Sequence, residues 1–291
     1  MFSNPYYGYI GLPLNGKKSI FEQMLAFLDG KMTAPTSYGW FHILCLALVV
    51  VGCVIVFLKA RNISDKQLDL VLLSVASALF LLEVYKQLNY SYDWESDSWG
   101  YQWYAFPFQF CSTPMYVMFA AVFIKKEKAR RSMYAFLATY GLFAGTAVMI
   151  YPNDVFTKTI GVNVQTMVHH GSMIVIGVLM YVSGRAKLNH KTVLYGLPTF
   201  AILTASAMTM NILYEFFGDP EQTFNMFYIS PYYDCTLPVL SIIYPLVPYP
   251  VFLVIYTFGF TLAGYVMSLI AIAANAIYQK QTAKHQGKEN V

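Results

Sequence analysis

The stretch Phe41-His-Ile-Leu-Cys-Leu-Ala-Leu-Val-Val-Val-Gly-Cys-Val-Ile-Val-Phe-Leu58 decides the fold class. It contains no Lys, Arg, Asp or Glu, and a helix needs about 20 predominantly apolar residues to cross the hydrocarbon core of a bilayer. A second run, from Val251 to Tyr278, is also free of charged residues. Both runs therefore predict transmembrane helices.

Five further apolar runs lie between these two, and only 12% of the 291 residues are charged. A soluble globular chain carries about a quarter charged residues, so the composition excludes an ordinary soluble protein. No basic stripe is present that would bind nucleic acid. We predict an all-α chain, a polytopic membrane bundle with seven transmembrane helices. The predicted spans are residues 40–58, 68–90, 103–124, 133–151, 164–183, 192–214 and 249–278.

The Lys and Arg residues gather in alternate connections between the spans. Fourteen of the 19 fall in the loops after the first, third and fifth spans and in the C-terminal tail. Short cytoplasmic loops accumulate positive charge in membrane proteins. The N-terminus is therefore predicted to lie outside and the C-terminus in the cytoplasm.

The predicted organisation is one seven-helix membrane domain, residues 39–279, between two short ends. Residues 1–38 are predicted to form an extracytoplasmic arm, in which Ser19 to Gly30 has the spacing of an interfacial amphipathic helix. Residues 280–291 form a cytoplasmic tail. The sixth and seventh spans are joined by a long outer loop, residues 215–248. Within this loop, Thr236 to Val247 is apolar but too short to span, which suits a re-entrant or interfacial segment.

A small set of polar side chains lies within the predicted spans, where ionisable groups are costly and indicate functional sites. They come from four helices and share the outer third of the predicted membrane, so they predict a polar cavity open to the outer leaflet. The set comprises Glu83, Lys86, Gln109, Cys111, Ser112, His169, His170 and Asn211. Plainer explanations stay open: an internal ion pair, a cysteine that is only a small apolar residue, and structural histidines.

A thiol near an imidazole suits nucleophilic acyl transfer, in which a thiolate attacks an ester and an alcohol then accepts the acyl group. Cys111 is the candidate nucleophile, and His170 or His169 is the candidate base. Two adjacent histidines point about 100° apart on a helix, which makes them poor ligands for one metal ion. Neither a metal nor another cofactor is predicted. The candidate oxyanion donors are Gln109, Ser112 and Asn211.

The run Phe106-Pro107-Phe108-Gln109-Phe110-Cys111 resembles the Leu-Pro-Leu-His-Leu-Cys element of the YwaF family of bacterial multi-pass proteins. Animal relatives of that family are acyltransferases that load polyunsaturated chains onto ether phospholipids. The likeness continues at Glu83 with Lys86, at His170-Gly171, and from Asn211 through Asn225 to Pro250.

This resemblance implies that Cys111 accepts the acyl group and that the partners are membrane lipids, with a phospholipid or lysophospholipid as substrate. It also implies a bacterial cell membrane, and it adds Asn225 to the predicted cavity. The family's histidine two residues before the cysteine is Gln109 here. His170 is therefore our substitute for the base.

Two other functions stay open. A transporter or channel would use Glu83, Lys86 and the histidines as a path, although a conducting path needs polar groups that reach both faces. A receptor is indicated only by seven spans with an outer N-terminus, which is an analogy of topology. The sequence does not fix the acyl donor, the acceptor or the oligomeric state.

Overall fold

The computed structural model describes residues 19–152 and 155–289. In this part of the chain the strands are limited to one two-residue pair, β1 (Tyr92–Asp93) with β2 (Ser98–Trp99), so the predicted all-α class is confirmed. The helices of the described residues are α1 (Ile20–Leu28), α2 (Trp40–Lys59), α3 (Asp65–Ser91), α4 (Thr113–Phe123), α5 (Glu127–Phe136), α6 (Leu142–Ile150), α7 (Ile160–Val182), α8 (Thr192–Phe217), α9 (Leu240–Ile243) and α10 (Tyr249–Glu289).

Six helices in the described part are long and apolar enough to cross a membrane. Five of them are α2, α3, α7, α8 and α10. The sixth joins α5 to α6 through a π-helical stretch, Leu137–Gly141, and runs without a break from Glu127 to Ile150. These six match six of the seven predicted spans, and the chain is an all-helical multi-pass membrane protein.

The third predicted span, residues 103–124, is not one continuous helix. It begins with a 3-10 turn at Trp103–Ala105, continues as extended chain, and has a second 3-10 turn at Phe110–Ser112 before the 11-residue α4. Phe106 is extended because the ring of the following proline disfavours helical backbone. Pro114 fits the first turn of α4, where a backbone N–H would have no partner. Cys111 therefore precedes α4 and does not lie inside a long helix.

Ion pairs show which loops share one end of the bundle. Asp69, near the start of α3, pairs with Lys125 and Arg130, which flank the start of α5. Arg185, just after α7, pairs with Asp65. The segment between α3 and α5 thus returns the chain to the end at which α3 began. We call this end the basic end, and its orientation toward the cytoplasm stays a prediction.

The helix α7 lies near the centre of the bundle and packs closely on α6 through two glycines. A Cβ at Gly145 would lie 2.6 Å from the carbonyl oxygen of His170, and one at Gly177 would lie 2.8 Å from Cβ of Leu142. Small residues let membrane helices approach in this way. The helix that carries both histidines is therefore held at a fixed distance from α6.

The predicted helix of the N-terminal arm is present as α1. Ser19 and Glu22 form a reciprocal capping box at its start. Leu25 is buried, whereas Ile20 and Phe27 are more than four-fifths exposed, which gives the helix one apolar outer face. The arm's first 18 residues and the last two residues of the predicted tail lie outside the described residues, and α10 continues through the tail to Glu289.

In the predicted outer loop, the segment that enters the bundle lies before Thr236. Phe224 to Ser230 enters the bundle, where Met226 and Phe227 are fully buried. The predicted segment Thr236 to Val247 forms the short α9 and a 3-10 turn, Tyr244–Leu246, and leaves Ile242 and Leu246 largely exposed. Apolar exposure of this kind suits an interfacial rather than a re-entrant segment.

Candidate functional site

Glu83, which is buried, and Lys86, which is partly buried, form an ion pair near the C-terminal end of α3. Lys86 Nζ lies 2.7 Å from Glu83 Oε1, as their spacing of three residues along the helix allows. Two amides complete the carboxylate's partners: Gln87 Nε2 donates to Oε1 at 2.9 Å and Gln165 Nε2 donates to Oε2 at 3.1 Å. A buried charge is tolerated when it is paired and hydrogen-bonded in this way. The predicted ion pair is thus present, and α7 contributes to it.

The broken segment before α4 exposes carbonyl groups that a continuous helix would satisfy. Side chains from α3, α4 and α7 supply the missing donors. The pairs are Gln87 Nε2 with the Ala105 oxygen (2.7 Å), the Tyr116 hydroxyl with Pro107 (2.8 Å), the Thr113 hydroxyl with Phe110 (2.8 Å) and His169 Nε2 with Cys111 (3.0 Å). The conformation around Cys111 is therefore fixed by side chains of three helices.

Both imidazoles are held by a carbonyl oxygen on one nitrogen only. His169 Nε2 lies 3.0 Å from the Cys111 oxygen, and His170 Nδ1 lies 2.8 Å from the Thr166 oxygen. A carbonyl accepts only, so these partners assign the ring hydrogen to Nε2 of His169 and to Nδ1 of His170. The other two nitrogens, His169 Nδ1 and His170 Nε2, are buried and without a hydrogen-bond partner. Each ring therefore keeps one unengaged basic nitrogen.

Three of the predicted cavity residues instead anchor the outer loop. Asn211 donates to the carbonyl of Met226 at 3.0 Å and accepts from its N–H at 2.7 Å. Gln109 donates to the Asn225 carbonyl and accepts from the N–H of Phe227, both at 3.1 Å. The amide of Asn225 closes the loop on itself through Ser230 and Asp234. Each of these amides thus holds backbone groups of the loop, and the predicted role as oxyanion donors stays a prediction.

The anchored loop contains two consecutive residues with left-handed backbone, Phe227 (φ 60°) and Tyr228 (φ 57°). Such backbone costs a non-glycine residue roughly 1–2 kcal/mol. The cost is offset by burial, since the Phe227 ring stacks on Phe108 with ring centroids 6.0 Å apart and its carbonyl accepts from Tyr256 at 3.0 Å. The loop is therefore built into the bundle beside the cysteine segment.

The structure brings Cys111, the histidines and the ion pair into one neighbourhood. His169 contacts the Cys111 carbonyl, and Gln165, one turn earlier on the same helix, donates to Glu83. Neither unengaged imidazole nitrogen is hydrogen-bonded to the Cys111 thiol. In the described part of the chain, no group of three or more His, Cys, Asp or Glu side chains is placed to hold a metal ion.

Sequence reasoning missed two amide residues that complete this site, Gln87 and Gln165. Gln87 lies one turn after Glu83 in α3, and Gln165 lies one turn before His169 in α7. Both spacings place the amides on the same helix faces as residues already identified. A search for polar side chains three or four positions from each candidate would have found them.

Residues 37–270 match the family model described as the TMEM164 family. The chain belongs to the TMEM164 family. This is a family of multi-pass membrane proteins. The match begins just before α2 and includes every candidate site residue of the chain, from Glu83 to Asn225. Comparisons with curated proteins and with solved structures found no match. The likeness to YwaF rests on the short motifs alone, and so does the bacterial membrane that it implies.

Proposed function

We propose that this TMEM164-family protein is a membrane-embedded acyltransferase that remodels phospholipids through Cys111. The observation that carries the proposal is a pair of imidazoles with ring centroids 5.7 Å apart, of which His169 contacts the Cys111 carbonyl. Each has its N–H engaged by a carbonyl and its other ring nitrogen unengaged. A buried nitrogen with no partner is rare in proteins and calls for an explanation, and a catalytic base is one. We choose His170 as the base because His169 already has a structural role: its Nε2 holds the Cys111 carbonyl.

In the proposed reaction, His170 Nε2 takes the thiol proton of Cys111 and the thiolate attacks the ester carbonyl of a donor phospholipid. A bond between sulfur and the acyl carbon forms, the ester C–O bond breaks, and the released lysophospholipid oxygen takes the proton from His170. The hydroxyl of an acceptor lysophospholipid then gives its proton to His170 and attacks the thioester. The new ester forms, sulfur leaves as thiolate, and His170 returns the proton to it.

An apolar groove between α2 and α7 supports a lipid substrate. It has a volume of about 410 Å³ and is lined by Leu44, Leu48 and Val168, with Gly171 next to His170 in the chain. These side chains are apolar and the groove opens to the lipid-facing side of α2, so an acyl chain would fit there without leaving the hydrophobic phase. In this proposal the groove holds an acyl chain against α7, the helix that carries both histidines.

The proposal places the reaction in the outer leaflet. Lys86 and Gln87 lie in the last turns of α3, far from the basic end, and the basic end faces the cytoplasm by the distribution of Lys and Arg. This orientation needs seven crossings, of which the broken segment with α4 is the third. The topology is therefore part of the proposal, and its test is given in the Discussion.

The test uses purified full-length protein in nanodiscs with a phospholipid donor that carries an isotope-labelled acyl chain and an unlabelled lysophospholipid acceptor. Cys111→Ala is expected to lower the rate of label transfer by about 1,000-fold or more, because the nucleophile is removed. Intact-protein mass spectrometry is expected to detect an acyl adduct on the wild type and none on the variant.

Cys53→Ala is the matched control, since Cys53 lies in α2 and has no role in the proposed site. It is expected to keep the wild-type rate. Transfer that persists in Cys111→Ala, or an adduct located on Cys53, would refute the mechanism.

A transporter that uses Glu83 is the other candidate function, and no observation favours it. Both carboxylate oxygens of Glu83 are occupied by Lys86 and by the amides of Gln87 and Gln165. A carboxylate so engaged serves to hold α3 to α7. We therefore do not propose transport.

A further inference from the structure

The basic end of the bundle contains a cavity that the proposed reaction does not use. Its volume is about 390 Å³, within the range of small-ligand sites. The start of α3, the start of α5 and the loop between α7 and α8 form its walls. The charged residues that line it are Asp65, Lys125, Glu127, Arg130, Arg131, Arg185 and Lys187.

Five basic and two acidic side chains line this cavity, so its wall has a formal charge of +3. Three of the cations are already paired: Lys125 and Arg130 with Asp69, and Arg185 with Asp65. In the described part of the chain, Arg131 and Lys187 form no ion pair. Asp69 balances only one of its two partners and Glu127 is the remaining acid, so the cavity with Asp69 counted keeps a formal charge of +2. Arg131, on α5, and Lys187, in the loop after α7, are its two cations without an ion pair among the described residues.

The position of each cation is set by a local structural feature. The guanidinium of Arg131 lies over the ring of Tyr195, with Cζ 3.7 Å from the ring centroid. Gly184 has φ +72°, and this left-handed residue ends α7 and turns the chain so that Arg185 reaches Asp65 and Lys187 follows it. The buried Nε of Arg185 has no hydrogen-bond acceptor among the described residues, so its guanidinium retains one unused donor.

We propose that this cavity binds a phosphate group. Phosphate carries enough negative charge to balance the two unpaired cations, and its oxygens can accept from guanidinium and ammonium donors on several walls at once. Basic loops alone would follow from the orientation of a membrane protein. That rule does not explain why three connections enclose a concave site in which the other cations are already paired. The ligand is either the headgroup of an anionic lipid or a soluble phosphate compound.

The experiment measures binding to the full-length protein in phosphatidylcholine nanodiscs, as the rise in melting temperature on titration. One arm adds phosphatidic acid to the nanodiscs, and the other adds inorganic phosphate to the buffer. The double variant Arg131→Gln with Lys187→Gln is expected to weaken binding by about tenfold or more, because two charged donors are lost. The matched control is Lys66→Gln with Lys128→Gln, which removes two charges at the same end outside the cavity. It is expected to bind within about twofold of wild type.

Selective loss in the phosphatidic acid arm supports a lipid headgroup, and selective loss in the inorganic phosphate arm supports a soluble ligand. Lys187→Gln alone, which alters one exposed side chain, is expected to weaken binding several-fold and keeps the test valid if the double variant folds poorly. Equal weakening in the cavity and control variants, or no weakening in either arm, would overturn the proposal.

Discussion

Asn211 engages both backbone polar groups of Met226 with one amide, at a position where both residues are buried. Replacing it by Leu would leave that N–H and that carbonyl without partners. An orphaned buried group costs about 1–3 kcal/mol, so Asn211→Leu is expected to lower the melting temperature of the purified protein clearly.

The control for this prediction is Thr209→Val on the same helix. The Thr209 hydroxyl donates only to the carbonyl of Ala205 within α8 and is exposed. Its removal is expected to change the free energy of unfolding by less than about 0.5 kcal/mol. If Asn211→Leu has the same melting temperature as the control, the loop is held by other contacts.

At the residue scale, spacing along one helix predicted the contacts within that helix. It did not predict contacts between segments that are distant in the sequence. The Glu83 and Lys86 ion pair follows directly from a separation of three positions. The sequence did not predict that Gln109 and Asn211 bind backbone groups more than 100 and 15 residues away, respectively. Those groups lie in a loop with left-handed backbone that no short pattern predicts.

At the element scale, six predicted spans match helices, with the largest difference at α10, which ends at Glu289 rather than 278. The third span does not match a single helix. A count of apolar residues from 103 to 124 predicts a span, because it ignores the backbone. Pro107 and Pro114 were visible in the sequence, and a proline in a helix interior removes a hydrogen bond and clashes with the preceding turn. What the sequence could not supply were the partners from α3 and α7 that make the broken conformation stable.

The close packing of α6 on α7 gives a prediction at the same scale. Gly145→Ala would place a Cβ 2.6 Å from the carbonyl oxygen of His170, so the two helices must separate. Overpacking of this kind costs about 1–3 kcal/mol. We expect a lower melting temperature and, because His170 moves with α7, a lower rate of acyl transfer.

Gly259→Ala is the matched control, because a Cβ there meets nothing within 4 Å. It is expected to be neutral or to stabilise α10 by up to about 1 kcal/mol through helix propensity. If both alanine variants melt alike, the glycine contact does not determine the distance between α6 and α7.

At the scale of the whole molecule, the distribution of charge predicted which loops share one end. The pairs of Asp69 with Lys125 and of Asp65 with Arg185 agree with that grouping. The sequence could not show that these loops enclose a cavity, because the cavity depends on how three connections converge. The side of the membrane that each end faces is a separate matter and can be measured.

The orientation is tested with single cysteines on either side of the broken segment, in a background in which the four native cysteines are alanine. Glu95→Cys is expected to react with a membrane-impermeant maleimide on intact cells if the positive loops face the cytoplasm, as proposed. Lys128→Cys is expected to react only after the membrane is opened. Reaction of both positions from outside would contradict the third crossing, and the reverse pattern would contradict the orientation.

The side-chain donors that hold the broken segment also constrain the order in which the chain can be assembled. His169, which binds the Cys111 carbonyl, is synthesised 58 residues later, and the backbone partners of Gln109 follow 116 and 118 residues after it. While the ribosome is still making α5, the Cys111 carbonyl lacks its histidine donor and the Gln109 amide lacks both backbone partners, and unpaired polar groups are costly in hydrocarbon. The contacts of the Cys111 carbonyl and of Gln109 can therefore form only after α7 and the later loop, respectively, have been translated, so this early part of the polypeptide completes its contacts late.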